Sequence, residues 1–169
     1  MGIIIRRGTL SDTDAFINLL EDVRSGMENK EWFYLDPPEF VREQMDGGTM
    51  LLWVAMDGDR LAGALDVLIP GEESYNYGYD LDFDRETLMQ VVNMDSAAVY
   101  PQYRGQGLQR KLLAEAEEAL RQMGKWILLC TVHPDNHFSL ENVRRQGYTV
   151  QKLLKKYGSV RYLLRKDIF

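Results

Sequence analysis

Two rhythms of apolar and polar positions run along the chain, one fitting strands and one fitting helices. Ile3 to Arg7 reads as a short strand. Ser11 and Asp14 have capping-box spacing, with Asp in place of the usual Glu, and Phe16, Leu19, Leu20 and Val23 then recur at helical intervals. This predicts a helix from Ser11 that Gly26 stops. Pro37-Pro38 opens a second helix, which runs to about Met45 and ends at Gly47-Gly48. Met50 to Met56 and Leu61 to Ile69 are apolar runs around Asp57-Gly58-Asp59-Arg60, the chemistry of a hairpin turn. Pro70 to Gln90 predicts an exposed loop with a short helix near Arg85 to Gln90, and Val91 to Tyr100 returns to strand. Gly105 to Met123 is the longest helical pattern, with Leu108, Leu112, Ala116, Leu120 and Met123 on one face and Gly124 as its stop. Trp126 to Val132 is nearly all apolar, as a strand buried on both faces would be. Pro134-Asp135-Asn136 turns into a helix ending near Gln146, before Gly147. Tyr148 to Leu154 and Val160 to Arg165 are the last two strands, joined through Tyr157-Gly158-Ser159.

The resulting order, β-α-α-β-β-β-α-β-α-β-β, is that of a mixed α/β fold. Its strand-helix-strand unit from Val91 to Val132 should make those two strands parallel. With 169 residues and no internal repeat or linker, residues 1–169 are expected to form a single domain with a sizeable core.

Composition is ordinary for a globular protein, with 45% hydrophobic and 27% charged residues. The net charge of −6 argues against a uniformly basic nucleic-acid binder. That total hides an imbalance: residues 1–103 carry a net −13 and residues 104–169 a net +7. The first half could meet a cation and the second an anion, or both could simply be solvated faces. From Pro70 to Gln90 there are six acids and one base. A single cysteine, Cys130, allows no internal disulfide and reads as a small core residue. The N-terminal run, Met1 to Arg7, lacks the order of a secretion signal, and no apolar run approaches the ~20 residues of a membrane span. A cytoplasmic protein with no membrane or nucleic-acid partner is expected.

The informative segment is Val99-Tyr-Pro-Gln-Tyr-Arg-Gly-Gln-Gly-Leu-Gln-Arg-Lys-Leu-Leu113, where a strand turns into the long helix. Gly105 and Gly107 leave the backbone bare at the first helical turn, where free N–H groups and the helix dipole favour an anion. Arg104, Arg110 and Lys111 add full charges. Together these make a cradle suited to a diphosphate. The dinucleotide fingerprint fails because position 110 is Arg, and the phosphate-loop pattern is absent.

Gln102-Tyr-Arg-Gly105-Gln-Gly107 resembles the Gln/Arg-x-x-Gly-x-Gly/Ala signature of the GNAT superfamily of N-acetyltransferases. Asn136-x-x-Ser139 followed by Gly147-Tyr148 is similar to that family's later segment, and the order of elements fits its fold throughout. The resemblance implies a predominantly antiparallel sheet with a central parallel strand pair that splays apart. It implies acetyl-CoA as co-substrate and no metal. The donor pyrophosphate would lie on Arg104, Gly105, Gln106, Gly107, Leu108, Gln109 and Arg110, and its pantetheine arm along Ala97, Ala98 and Val99. Asn136 and Ser139 would bind near the thioester. Chemistry by direct attack of an amine in a ternary complex follows, with a small-molecule or protein amine as acceptor. Asp95 stands four residues before the motif's valine, where many members carry an acid, and is the expected base. In an alternating strand it would share a face with Ala97 and Val99. The tyrosine that many members place seven residues after the Asn is here Val143. Either that acid is missing, since a coenzyme A thiolate can leave unaided, or another group stands in: Tyr148, Tyr157 and Tyr103 are candidates that the sequence does not rank, of which Tyr148 is taken for the catalytic site. A CoA-binding sensor without turnover, or a transferase using another acyl-CoA, are the competing readings; a monomer or homodimer fits any of them.

Other residues carry weaker signals. His133 and His137 have a helical metal-ligand spacing, but Pro134 interrupts it and no third ligand is evident. Tyr75, Tyr77 and Tyr79, and Trp32-Phe33-Tyr34, could wall an acceptor site or pack in loops and core. The acids from Glu72 to Glu86 could draw in a cationic acceptor by their field.

Overall fold

The computed structural model describes residues 2–169; Met1, part of the N-terminal run, lies outside them. The strands are β1 (Ile4–Arg7), β2 (Met50–Asp57), β3 (Arg60–Leu68), β4 (Val91–Val99), β5 (Ile127–Val132), β6 (Thr149–Lys156) and β7 (Ser159–Asp167). The helices are α1 (Thr13–Ser25), α2 (Pro38–Gly47), α3 (Arg85–Leu88), α4 (Leu108–Gln122) and α5 (His137–Arg145). The seven strands form one sheet in the order β1-β2-β3-β4-β5-β7-β6. Every neighbouring pair is antiparallel except β4 and β5, the pair that α4 joins.

Helices cover both faces of the sheet. Leu108, Leu112, Leu113, Ala116 and Leu120 of α4 bury against Trp53, Leu65, Val67, Val92, Met94, Leu128 and Leu164. On the other face Phe16, Leu19 and Leu20 of α1 and Val41 and Met45 of α2 bury against Leu52, Val54, Ala64 and Ala98. Tyr77 extends that second layer over Val91, Ile127, Leu129 and Leu163. No helix among the described residues is long and apolar enough to cross a membrane.

The expected elements are present, with boundaries moved for identifiable reasons. α1 begins at Thr13 rather than Ser11, after a 3-10 turn over Leu10–Asp12. Asp12, not Asp14, closes the cap: its Oδ2 accepts from the Thr9 N–H at 2.8 Å. Arg6 holds the same carboxylate. Asp14 instead pairs with Arg42 of α2. The β2–β3 turn narrows to Gly58-Asp59, because Asp57 and Arg60 still pair. α4 starts at Leu108 rather than Gly105, because Gly105 (φ +83°) and Gly107 (φ +72°) are left-handed and end the loop instead of opening the helix. Met123 caps α4 and is 48% exposed, so it is not part of the buried stripe.

The segment 70–90 is not the solvated loop its charges predict. Asn76 donates to the carbonyls of Gly71 and Leu88 and accepts from the Gly78 N–H. Asn93 of β4 donates to the Tyr75 carbonyl and accepts from the Tyr77 N–H. These two buried amides satisfy the loop's backbone, so a 3-10 turn over Tyr77–Leu81 can pack on the sheet while its acids stay largely outside.

Two irregularities of β4 position the site. Its pairing with β5 covers only Val91↔Ile127, Val92↔Leu128 and Asn93↔Leu129; beyond them the strands part. On its other edge Asp66↔Ser96 is followed by Val67↔Met94, which leaves Asp95 as an unmatched, bulged residue.

Candidate active site

The parted strands open a cleft with polar backbone on one wall. Past Asn93, β4 pairs only with β3, through Met94, Ser96, Ala97, Ala98 and Val99. No strand among the described residues pairs with its β5-facing edge here, which leaves that edge open to an extended ligand. At the end of β4, a 3-10 turn over Pro101–Tyr103 leads to the glycine loop. None of the backbone N–H groups from Gly105 to Arg110 has an acceptor among the described residues; the next to find one is that of Lys111, on the Gly107 carbonyl. This is a nest of donors at the start of a 15-residue helix. Arg104 Nε reaches back to the Val99 carbonyl, and Gly105, Gln106, Gly107 and Arg110 are exposed. Leu108 contributes only backbone, since its side chain is in the core, and Gln109 is half-buried. Asn136 caps α5 by accepting from the Ser139 N–H at 3.3 Å, so the Ser139 amide is engaged and the Asn136 amide group keeps its own donors. These residues fit a diphosphate with a long arm: bare N–H groups at one end, open strand edge at the other.

Where β4 and β5 part, the bulge changes which face Asp95 serves. Val92 and Met94 before it, and Ala97 and Val99 after it, all belong to the α4 side. The alternation skips at Asp95, so it does not share a face with Ala97 and Val99 as a regular strand would require. Its carboxyl meets those of Asp66 and Asp36 instead. Asp66 lies on β3, 1% exposed, and also accepts from the Ser96 N–H at 2.9 Å, which fixes the backbone beside the bulge. Burial, together with the charge of Asp36, pushes the Asp66 carboxyl up to about 7. Burial, then the charge of Asp66, pushes Asp95 well above the usual carboxylate range. Crowded carboxyls of like charge share protons, so Asp66 and Asp95 together can both attract a cation and take a proton.

Tyr34, Tyr77 and Tyr157 neighbour this cluster. Tyr77 is buried, and its hydroxyl lies 2.6 Å from that of Tyr157. The Tyr157 ring stacks on Tyr34, with centroids 3.9 Å apart and planes 9° from parallel. Burial raises the Tyr157 hydroxyl, with Asp95 and Asp36 adding to it, so Tyr157 is a protonated donor. Tyr75 packs edge-on against Phe40. Tyr79 is exposed and bonds the Glu72 carbonyl.

Tyr148 is elsewhere. It is buried on the α4 side, where Cys130 and Glu117 are its charge neighbours and its hydroxyl has no partner among the described residues. The structure does not bring it to Asp95. The bulge turned Asp95 to the opposite face, which a regular strand would not have done. Val143 packs on the same apolar cluster as Tyr148. Tyr103 bonds Asp57. His133 Nδ1 accepts from the Asp135 N–H and serves the turn, while His137 opens α5, exposed. A shallow hollow of about 350 Å³ beside Ala15, Asn18, Arg60 and Tyr103 contains none of the carboxyls. Two members of the site, Asp36 and Asp66, were not singled out from the sequence. Asp66 had a signal, as the only charge in the apolar run from Leu61 to Ile69. Asp36 had only its place before Pro37-Pro38.

The fold recurs in solved structures. NAA60 of Arabidopsis thaliana in complex with acetyl-CoA matches with a TM-score of 0.77, 18% identity and 98% of each chain covered. A ribosomal-protein-alanine N-acetyltransferase of Brucella melitensis matches with a TM-score of 0.70, 20% identity, and 97% of this chain and 99% of that one covered. The PaiA N-acetyltransferase of Thermoplasma acidophilum in complex with coenzyme A matches at 0.66, 16% identity and 99% of each chain. At such identities the likeness establishes the fold. No curated protein sequence matches the chain. Residues 14–148, which hold the glycine loop, the bulged strand and the Asn136 turn, match the Acetyltransferase (GNAT) family, and the chain belongs to that family.

Proposed function

We propose that the chain is an N-acetyltransferase that uses acetyl-CoA to acetylate a primary amine, by direct attack in a ternary complex. The observation that carries this reading is the position of the Asp95 bulge, at the point where β4 and β5 part. One ligand arm in the cleft and an amine among the carboxyls would meet there.

The N–H groups of Gly105 to Arg110 hold the pyrophosphate, with Arg104, Arg110 and Lys111 adding charge. The open edge of Ala97 to Val99 and the amide of Asn136 align the pantetheine arm. Bound acetyl-CoA supplies the acyl carbon that the amine nitrogen attacks and the thiolate that leaves. Asp36, Asp66 and Asp95 draw in the ammonium form of the acceptor. Asp95 takes the proton that must leave the nitrogen before or during attack. Its raised affinity for protons matches it to an amine better than an ordinary aspartate would be. Tyr157, backed by Tyr77, gives a proton to the leaving sulfur. Confinement of the two reactants at one bulge supplies the proximity contribution.

The test is incubation of the purified protein with acetyl-CoA and a panel of small amines and peptides, read by mass spectrometry. An acetylated amine is expected. Tight acetyl-CoA binding with no acetylated product would favour a sensor module, and transfer only from a longer acyl-CoA would change the donor.

A further inference from the structure

Four buried side-chain polar atoms have no partner among the described residues: Trp32 Nε1, Tyr148 Oη, Ser159 Oγ and Arg161 Nε. Three of them belong to residues that neighbour one another. Arg161 Nη2 donates to the carbonyl of Glu31, the residue before Trp32, at 2.7 Å. Ser159 lies two positions before Arg161 on β7, on the same face of the strand. Each of the three unmet atoms can donate a hydrogen bond.

Arg161 is the unusual member. It is 4% exposed, and no carboxylate among the described residues lies within ion-pair distance. A buried guanidinium with one carbonyl, no counter-charge and an idle Nε carries a desolvation cost that a structural strut would not require. Its ring neighbour is Tyr157, with the guanidinium carbon 5.6 Å from the ring centroid. Tyr157 and Tyr77 are the titratable groups that bear on Arg161, while Asp95 and Asp36 bear on the same two tyrosines. The tyrosine pair therefore neighbours both a carboxyl cluster and a donor cluster.

We infer that Arg161, Ser159 and Trp32 form an anion subsite for a carboxylate of the acceptor. The substrate is a small amino acid-type zwitterion: its ammonium lies at Asp36, Asp66 and Asp95, its carboxylate at Arg161, and its body against Tyr34 and Tyr157. This rests on the N-acetyltransferase reading and narrows its acceptor. A carboxylate accepts from the guanidinium, the hydroxyl and the indole at once, leaving no unmet donor.

Matched acceptors test it: free amino acids, their carboxamides and their decarboxylated amines, each with acetyl-CoA, and phosphoethanolamine alongside. The free acids should exceed both analogues in kcat/KM by at least about tenfold, because the analogues leave buried donors unmatched. In Arg161→Gln that ratio should collapse toward one, mainly through KM of the free acid, with acetyl-CoA affinity retained. If Arg161→Gln does not fold, Ser159→Ala should lower the same ratio by a smaller factor. Equal rates on free acids and decarboxylated amines would overturn the subsite and leave the acetyltransferase reading standing. Preference for phosphoethanolamine over every free acid would overturn the carboxylate assignment. If no amine is acetylated, the acetyltransferase reading fails and calorimetry decides the subsite. N-acetyl amino acids should then bind the protein–CoA complex and their decarboxylated counterparts should not; equal binding, or none, would overturn it.

Discussion

The hydroxyls of Tyr77 and Tyr157 meet at 2.6 Å although 80 positions separate them in sequence. Tyr77 comes from the segment that Asn76 and Asn93 pin to the sheet, and Tyr157 from the β6–β7 turn, where it holds a left-handed backbone at φ +58°. A side chain in that conformation costs about 1 kcal/mol or more, so the stack on Tyr34 and the bond to Tyr77 must hold it. Tyr157→Phe keeps the stack and removes the proton donor. Steady-state rates should show kcat lower by about tenfold to a hundredfold, with acetyl-CoA affinity unchanged.

Tyr148→Phe is the contrasting variant. It removes a buried hydroxyl with no partner among the described residues, so thermal melting should show unchanged or slightly higher stability. Turnover should stay near that of the parent protein. A loss matching that of Tyr157→Phe would move the proton donor to the α4 side of the sheet.

Asp66→Asn probes the shared protons. The Asp66 charge raises Asp95, so its removal should let Asp95 ionise at lower pH. The acid limb of the kcat/KM profile should then move to lower pH, while Asn still accepts from Ser96. Stability has its own sign. A carboxyl raised from 3.8 to about 7 binds its proton more tightly in the folded state. Its contribution therefore diminishes as pH rises across that interval. Melting curves between those limits should be less pH-dependent in Asp66→Asn, and an unchanged dependence would show that Asp66 does not share the proton.

Gly107 separates backbone strain from charge in the cradle. It is left-handed at φ +72°, and an added Cβ meets nothing closer than Arg110 Nη2 at 3.7 Å. Gly107→Ala should weaken acetyl-CoA binding modestly, through about 1 kcal/mol of strain. Gly107→Asp puts a negative charge among the same N–H groups, and calorimetry should show a loss of more than about tenfold. Equal effects of the two would deny the anion cradle.

The glycine loop of the proposed donor side was legible in the sequence. Gly105 and Gly107 at a strand-to-helix junction state a local requirement, and local requirements survive in linear order. The acceptor side was less legible because it depends on one extra residue. Alternation from Val91 to Val99 places Asp95 beside Ala97, and nothing in Met94-Asp95-Ser96 marks the bulge that reverses it. The partners of Asp95 come from β3 and from the segment before α2, joined to it only by folding. The acids of 70–90 suggested solvent, while the two asparagines that bury its backbone carry no charge to notice. Arg161 looked like one of many bases in the positive half; its isolation exists only in three dimensions.

Asp95 is proposed to take a proton from an amine held beside acetyl-CoA. Asp95→Asn tests it most directly, through the rate of amine-dependent thiol release at saturating acetyl-CoA. That rate should fall by about a hundredfold or more while calorimetric acetyl-CoA affinity and melting temperature hold. Undiminished thiol release from Asp95→Asn, with the same amine, would contradict it.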